Sequence, residues 1–175
     1  MSDVKFGNIG VLMGGYSSER DISLRSGMAV TNALKKEGYP VEAIDLNTND
    51  HNKIKEIIKE SKIDLAFIAL HGRLGEDGQI QSILEDIKIP FTGSGVAASQ
   101  KAFNKIIAQK AFKDANLPVP MNFVISNGEL IHFKEVFAHL KKLPFVVKAA
   151  CEGSSIGVTM VRHPSQWEAA LRDAL

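Results

Sequence analysis

The sequence predicts an α/β protein: a parallel sheet flanked by helices over residues 1–98, then a smaller α+β segment over residues 99–175. Three observations point there. Short apolar runs and amphipathic stretches alternate in the order β-α-β-α-β from Ile9 to Leu70. Glycine-rich loops follow the first and third of those runs. The Gly93-Ser94-Gly95 turn then breaks the pattern, which places a domain boundary near Ser99.

Taken in order, Ile9 to Met13 is an apolar run closed by Gly14 and Gly15, suited to a strand and a tight turn. Ser17 to Ser23 offers capping side chains for an amphipathic helix that reaches Glu37, and Gly38 stops it. Val41 to Leu46 alternates as a strand, and Ile54 to Ser61 has helical spacing. Leu65 to Leu70 is a continuous apolar run, expected to be a strand buried on both faces. Ligands of such sheets sit beyond the carboxyl ends of the strands, where Gly14 to Arg20 and His71 to Gly78 fall. A helix over Gln79 to Asp86 leads to Ile89 to Thr92. Past the boundary we expect a long helix from Lys101 to Asn116, a strand at Asn122 to Ile125 and a helix around Phe133 to Lys141. Strands at Phe145 to Lys148 and Val158 to Arg162 follow, then a helix opened by His163-Pro164-Ser165 that is still amphipathic at Leu175. The second domain is therefore expected to be incomplete, with apolar surface uncovered and a C-terminal part that is mobile or aggregation-prone.

Composition narrows the function. The 175 residues are 45% hydrophobic and 23% charged, which excludes a disordered or fibrous chain. Lys plus Arg number 21 against 20 Asp plus Glu, a balance of +1 that is too even for a protein held to nucleic acid or membrane by bulk charge. A charged ligand needs a local site. One cysteine, Cys151, forms no internal disulfide and no zinc framework. With no basic leader and no apolar stretch approaching about 18 residues, we expect a cytoplasmic protein.

Three loops carry chemistry. In Lys148-Ala149-Ala150-Cys151-Glu152-Gly153-Ser154-Ser155-Ile156-Gly157 a strand-end lysine precedes a loop rich in glycine and serine. Such a loop brings backbone N–H groups, hydroxyls and a positive charge to phosphate oxygens; it is equally the composition of a surface hairpin turn. Gly153-Ser154-Ser155-Ile156-Gly157 also matches the G-x-S-x-G nucleophile elbow, but a strand rather than a helix follows, and no acid followed by a histidine lies downstream. In Gly14-Gly15-Tyr16-Ser17-Ser18-Glu19-Arg20 the dinucleotide fingerprint G-x-G-x-x-G is missing, which leaves Asp45 as a strand-end residue rather than a ribose ligand. Glu19 there suits a substrate ammonium group or, equally, the start of a helix. In His71-Gly72-Arg73-Leu74-Gly75-Glu76-Asp77-Gly78, His71 suits a general base or a hydrogen-bond donor, with Glu76 and Asp77 orienting neighbours or opening the next helix.

Together these segments carry a resemblance. Gly14-Gly15 with Ser18-Glu19-Arg20-Asp21-Ile22-Ser23, His71-Gly72 with Gly75-Glu76-Asp77-Gly78, Thr92-Gly93-Ser94-Gly95, Asn104-Lys105, and Glu152-Gly153-Ser154-Ser155-Ile156-Gly157 occur in the order and spacing of the D-alanine-D-alanine ligases. Those ligases belong to the ATP-grasp superfamily. The resemblance implies a Rossmann-like pre-ATP-grasp domain followed by the first part of an ATP-grasp domain. It also implies a reaction in which ATP phosphorylates the carboxylate of one D-alanine and the amine of a second attacks the acyl phosphate, feeding peptidoglycan synthesis. By position, Glu19 resembles the carboxylate that holds the first substrate's ammonium, His71 the histidine near the reacting carboxyl group, and Ser154 the serine linking substrate and loop. Lys105 and Lys148 are similar to the lysines that grip ATP phosphates, with Glu152, Gly153, Ser154 and Ser155 closing over them. Phosphoryl transfer asks mainly for positioning and neutralised oxygens, which such groups supply.

Two positions depart from the family pattern. Asn104 stands where an Asp is usual and Ala149 where a Pro is usual, which bears on the helix start and on the stiffness of the loop. Family members are much longer chains whose remaining part supplies the adenine hinge, the acidic ligands for Mg2+ or Mn2+ and a transition-state arginine. A homodimer is implied as well. The purified 175-residue polypeptide is accordingly expected to show no D-alanine-dependent phosphate release from ATP and magnesium, since metal ions contribute several kcal/mol to such steps; clear turnover would overturn this. The competing readings are a non-catalytic nucleotide-binding fragment, one subunit of a split enzyme, or another carboxylate-amine ligase of the superfamily.

Overall fold

In a computed structural model, which describes residues 7–154 and 156–175, the chain divides into two compact units. The first ends at Ala102 and the second begins at Phe103.

The first unit is built on β1 (Ile9–Gly14), β2 (Val41–Leu46) and β3 (Leu65–Ile68), all parallel, in the order β2-β1-β3. Its helices are α1 (Arg20–Lys36), α2 (His51–Glu60) and α3 (Gln79–Asp86), with α4 (Val96–Phe103) at the end. β1 lies in the middle, so its six residues are buried on both faces and need no alternation. Val11 and Met13 pack with Leu24, Val30 and Leu34 of α1 on one face, while Leu12 joins Ile54 and Ile58 of α2 and Ile80 and Leu84 of α3 on the other. Gly27 lets α1 lie directly on the sheet, because a Cβ there would come 2.6 Å from Cβ of Met13.

The edges differ from expectation in three ways. α2 begins at His51, three residues before the periodic run, because Asp50 caps it by accepting from the backbone N–H groups of Asn52 and Lys53. β3 stops at Ile68 and is only partly buried, since beyond it the chain returns with a single bridge, Ala66 to Phe91, rather than a full strand. At α1 the cap residue is Glu19, whose side chain makes no capping bond; Ser17 instead accepts from the Glu19 N–H.

On the surface, Lys55 donates to Asp86 at 2.7 Å, and this hydrogen bond, aided by the lysine's charge, lowers the pKa of the Asp86 carboxyl below its ordinary 3.8. A lowered folded-state pKa contributes stability that is present above the unfolded value and is lost as pH falls through the folded one. The wild type is therefore expected to lose its small advantage over Asp86→Asn in urea unfolding as pH is taken below about 4. A constant difference between the two from pH 7 to pH 3 would contradict this.

The second unit contains α5 (Lys105–Asp114), α6 (Phe133–Leu140), the antiparallel pair β4 (Phe145–Lys148) and β5 (Val158–Val161), a 3-10 turn (Pro164–Gln166) and α7 (Trp167–Ala174). The expected continuous helix from Lys101 to Asn116 is broken at Asn104, whose side chain accepts from the N–H groups of Ile106 and Ile107 and so starts α5 afresh. The expected strand at Asn122 to Ile125 does not form; the segment has no ladder partner among the described residues, and Phe123 instead meets His139 edge-on at 5.4 Å. Among the described residues, buried apolar residues number sixteen before Phe103 and four after it, namely Val136, Val161, Trp167 and Ala170. Of the large apolar side chains left exposed among those residues, four lie before Phe103 and thirteen after it. One face of the β4–β5 pair, with Val146, Val158 and Met160, is among these exposed surfaces.

Candidate functional site

Parallel pairing puts the loops after β1 and β3 side by side, and a buried serine ties them. Ser23, in the first turn of α1 and fully buried, accepts from the Gly14 N–H at 2.9 Å and donates to the Ala69 carbonyl at 2.7 Å. Ser23→Ala leaves both backbone groups without that partner and is expected to cost about 1–3 kcal/mol of stability by urea unfolding. An unchanged midpoint would show that neither bond matters.

The first loop is braced from β2 as well. Arg20 forms a two-pronged bond to Asp45, 2.8 and 2.7 Å, and also donates to the Gly15 carbonyl at 3.2 Å. The hydrogen bond to Asp45 raises the guanidinium pKa, against a desolvation effect that lowers it, and the charges of Asp45 and then Asp21 add to the rise. Asp45 is thus engaged by the protein itself.

Within this frame Glu19 and His71 come together. Ser17 donates to the His71 carbonyl at 3.0 Å and accepts from Glu19 N–H at 3.2 Å. Gly72 has φ of +63°, and a Cβ there would fall 2.5 Å from Glu19 Oε2 and 3.3 Å from Ser17 Oγ. The Glu19 carboxylate, on a residue only 7% exposed, therefore lies against the backbone next to His71. His71 Nε2 is 3.0 Å from Ser26 Oγ, and Nδ1 is 3.9 Å from Glu76 Oε1. Asp77 holds the far end of the loop by accepting from the N–H groups of Leu74 and Gln79, and Gln81 donates to the Gly75 carbonyl at 2.7 Å. A carboxylate and an imidazole carried on these adjoining loops suit a small ligand with both an ammonium and a carboxylate group.

Glu19 and His71, the candidates read from the sequence, lie on these two adjoining loops; Ser17, Ser23 and Ser26, which do the fixing, were not among the candidates. Their signal was ambiguous, because serines at a helix start read first as caps.

In the second unit, the segment from Lys148 to Val158 is a hairpin: those two residues are the last pair of the β4–β5 ladder and residues 149–157 cross between them. The strand after the loop removes the nucleophile-elbow reading. What distinguishes this loop from a plain surface turn is Lys105. Its backbone N–H donates to the Ala150 carbonyl at 3.0 Å and its ammonium to the Glu152 carbonyl at 2.6 Å. Lys105, Glu152 and the adjoining Gly153 and Ser154 are thereby gathered, with Ser154 in the left-handed region at φ +46°. Lys148 ends β4 on its exposed face. Ser155 lies outside the described residues. No three His, Cys, Asp or Glu side chains gather as a metal site among the described residues, and no described helix is long and apolar enough to cross a membrane.

Known proteins are similar to this chain in sequence and in fold. A family profile described as D-ala D-ala ligase N-terminus matches residues 47–94, and one described as D-ala D-ala ligase C-terminus matches residues 111–175. A D-alanine–D-alanine ligase of Trichlorobacter lovleyi is 48% identical over 173 residues, 98% of this chain and 53% of that protein. The chain belongs to the D-alanine-D-alanine ligase family. Two solved structures of the family member from Bacillus anthracis agree in fold. One has a TM-score of 0.82 at 34% identity, covering 95% of this chain and 53% of that one; the other, complexed with ATP, has 0.79 at 32%, covering 95% and 54%. The chain spans about half the length of the curated relatives it matches. The α/β reading with a parallel sheet holds, and the ligase family named from the motifs is the one found.

Proposed function

We propose that this chain carries the first-substrate end, and part of the nucleotide-binding end, of an ATP-dependent enzyme that joins two D-alanine molecules for peptidoglycan synthesis in the cytoplasm. The observation that carries the reading is the Glu19 carboxylate lodged against Gly72 beside His71, two motifs from distant parts of the sequence meeting at the carboxyl ends of β1 and β3.

In this reading Glu19 binds the ammonium of the first D-alanine and His71 donates toward its carboxyl group. A carboxylate oxygen attacks the γ-phosphorus of ATP and ADP leaves. The amine of the second D-alanine then attacks the acyl carbon, loses a proton and expels phosphate. Lys105 and Lys148 neutralise phosphate oxygens, while Glu152, Gly153, Ser154 and Ser155 form the loop over them, Ser154 also reaching the substrate. Lys105 is already held near that loop by the Glu152 carbonyl, so a phosphate oxygen has only to share or replace one bond. The reaction class calls for Mg2+ or Mn2+; the described residues offer no set of ligands for it, and no step is assigned to a metal held by them. The family resemblance favours a homodimer.

Amide and side-chain NMR of the 175-residue chain, titrated with D-alanine, L-alanine or MgATP, tests the assignment. D-alanine is expected to move signals of Glu19, His71 and Gly72, and MgATP those of Lys105, Lys148 and residues 152–154. An equal response to L-alanine, or an ATP response that avoids this loop, would overturn it.

A further inference from the structure

Among the described residues, His71 Nδ1 faces one side chain and Nε2 another, and the two neighbours differ in kind. Nδ1 faces Glu76 Oε1 at 3.9 Å, and an ionised carboxylate only accepts. Nε2 faces Ser26 Oγ at 3.0 Å, and a hydroxyl both donates and accepts. Ser26 sits one helical turn beyond Ser23 on α1, and its Oγ is also 3.1 Å from the Ser23 carbonyl. Its single hydrogen therefore has two stations, the Ser23 carbonyl or His71 Nε2.

The neutral ring has two ways to fill these positions. With the proton on Nε2, Ser26 must turn its hydrogen to Ser23, and the bare Nδ1 lone pair then faces the Glu76 carboxylate. With the proton on Nδ1, the N–H points toward Glu76 and Ser26 donates to the Nε2 lone pair. Only the second arrangement avoids setting two acceptors against each other. The hydrogen bond made by one ring nitrogen fixes the proton on the other.

We propose that Ser26 is a positioning residue that holds neutral His71 as its Nδ1–H tautomer, making His71 a hydrogen-bond donor at the substrate end and not a general base. The 3.9 Å gap to Glu76 is too long for a hydrogen bond, so Glu76 favours the Nδ1–H without consuming it, and that N–H can donate to a ligand oxygen. The Nε2 lone pair, which a base would need, is occupied by Ser26. The part concerning substrate rests on the D-alanine reading above; the part concerning the ring does not.

The test reads the ring directly. Long-range 1H–15N correlation spectra of the ligand-free chain are recorded at a pH where His71 is neutral, for wild type, Ser26→Ala, Ser26→Thr and Glu76→Gln. The wild type is expected to show an Nδ1–H ring. Ser26→Ala is expected to move the tautomer ratio toward Nε2–H, the form a free imidazole favours, by about two- to tenfold, the equilibrium effect of one hydrogen bond. Ser26→Thr restores the hydroxyl and is expected to restore the wild-type ratio. Glu76→Gln, which can donate as well as accept, is expected to move the ratio in the same direction as Ser26→Ala. A wild-type ring that is mainly Nε2–H, or a ratio unchanged in Ser26→Ala, overturns the proposal. If Ser26→Ala does not fold, the wild type and Glu76→Gln decide it alone. Because no substrate is present, this result stands apart from whether D-alanine binds.

Discussion

Trp167→Ala is expected to unfold the second unit while leaving the first intact. Trp167 is 2% exposed, meets Phe133 and Phe145 edge-on with ring centroids 6.4 and 6.1 Å away, and donates from its indole to the Ile131 carbonyl at 3.0 Å. Removing a buried tryptophan costs about 3–5 kcal/mol, and among the described residues this unit has three other buried apolar residues to share the loss. Small domains hold about 5–15 kcal/mol in total, so the substitution takes a large part of what is there. Hydrogen exchange measures it: amides of α6, β4, β5 and α7 are expected to lose protection, and those of β1 to β3 to keep it. Equal loss in both units would show that the Trp167 cluster is not a separate core.

Gly72→Ala is expected to empty the substrate end without unfolding it. The left-handed φ of +63° adds a backbone cost of about 1–2 kcal/mol for any residue with a Cβ. The new methyl group also falls where Glu19 Oε2 now sits, at 2.5 Å, and the carboxylate must move. On the proposed reading, a displaced Glu19 forfeits a charge-assisted bond to the ammonium of D-alanine, worth about 1.5–3 kcal/mol, or roughly 10- to 100-fold in affinity. Gly38→Ala is the control, since its φ is +81° but nothing lies within 4 Å of the added Cβ. It is expected to carry a similar stability cost with D-alanine binding unchanged. Calorimetric titration of both variants separates strain from displacement, and equal binding by the two would place Glu19 outside the ammonium site.

Much of this was legible in the residues, for reasons that differ by element. β2, α3 and β4 fall where alternation or helical spacing put them, because each is bounded by turn residues and faces a core on one side. Local hydrogen bonding set the boundaries that were misjudged: Asp50 starts α2 early, and Asn104 divides a stretch whose apolar spacing runs on without a break. Asn122 to Ile125 shows the opposite failure, a short apolar run that makes no ladder among the described residues. At the site, the unusual residues declared themselves. A glutamate in a serine-rich turn and a histidine in a glycine-rich one stand out by type. Ser17, Ser23 and Ser26 did not, because their value comes from partners on another loop, His71 and Ala69, that no local pattern connects to them.

The β4–β5 ladder carries an implication for which changes in chain length the protein tolerates. Since Lys148 pairs with Val158 at its open end, a residue gained or lost among 149–157 leaves the strand register intact, but it shifts the Ala150 and Glu152 carbonyls that Lys105 engages. An insertion of one residue inside β4 has a different outcome: it exchanges the two faces, turning Lys148 toward the tryptophan side and Val147 toward water. A change of length in the crossing is therefore expected to disturb the bonds that Lys105 makes, and one inside β4 the apolar core beneath it.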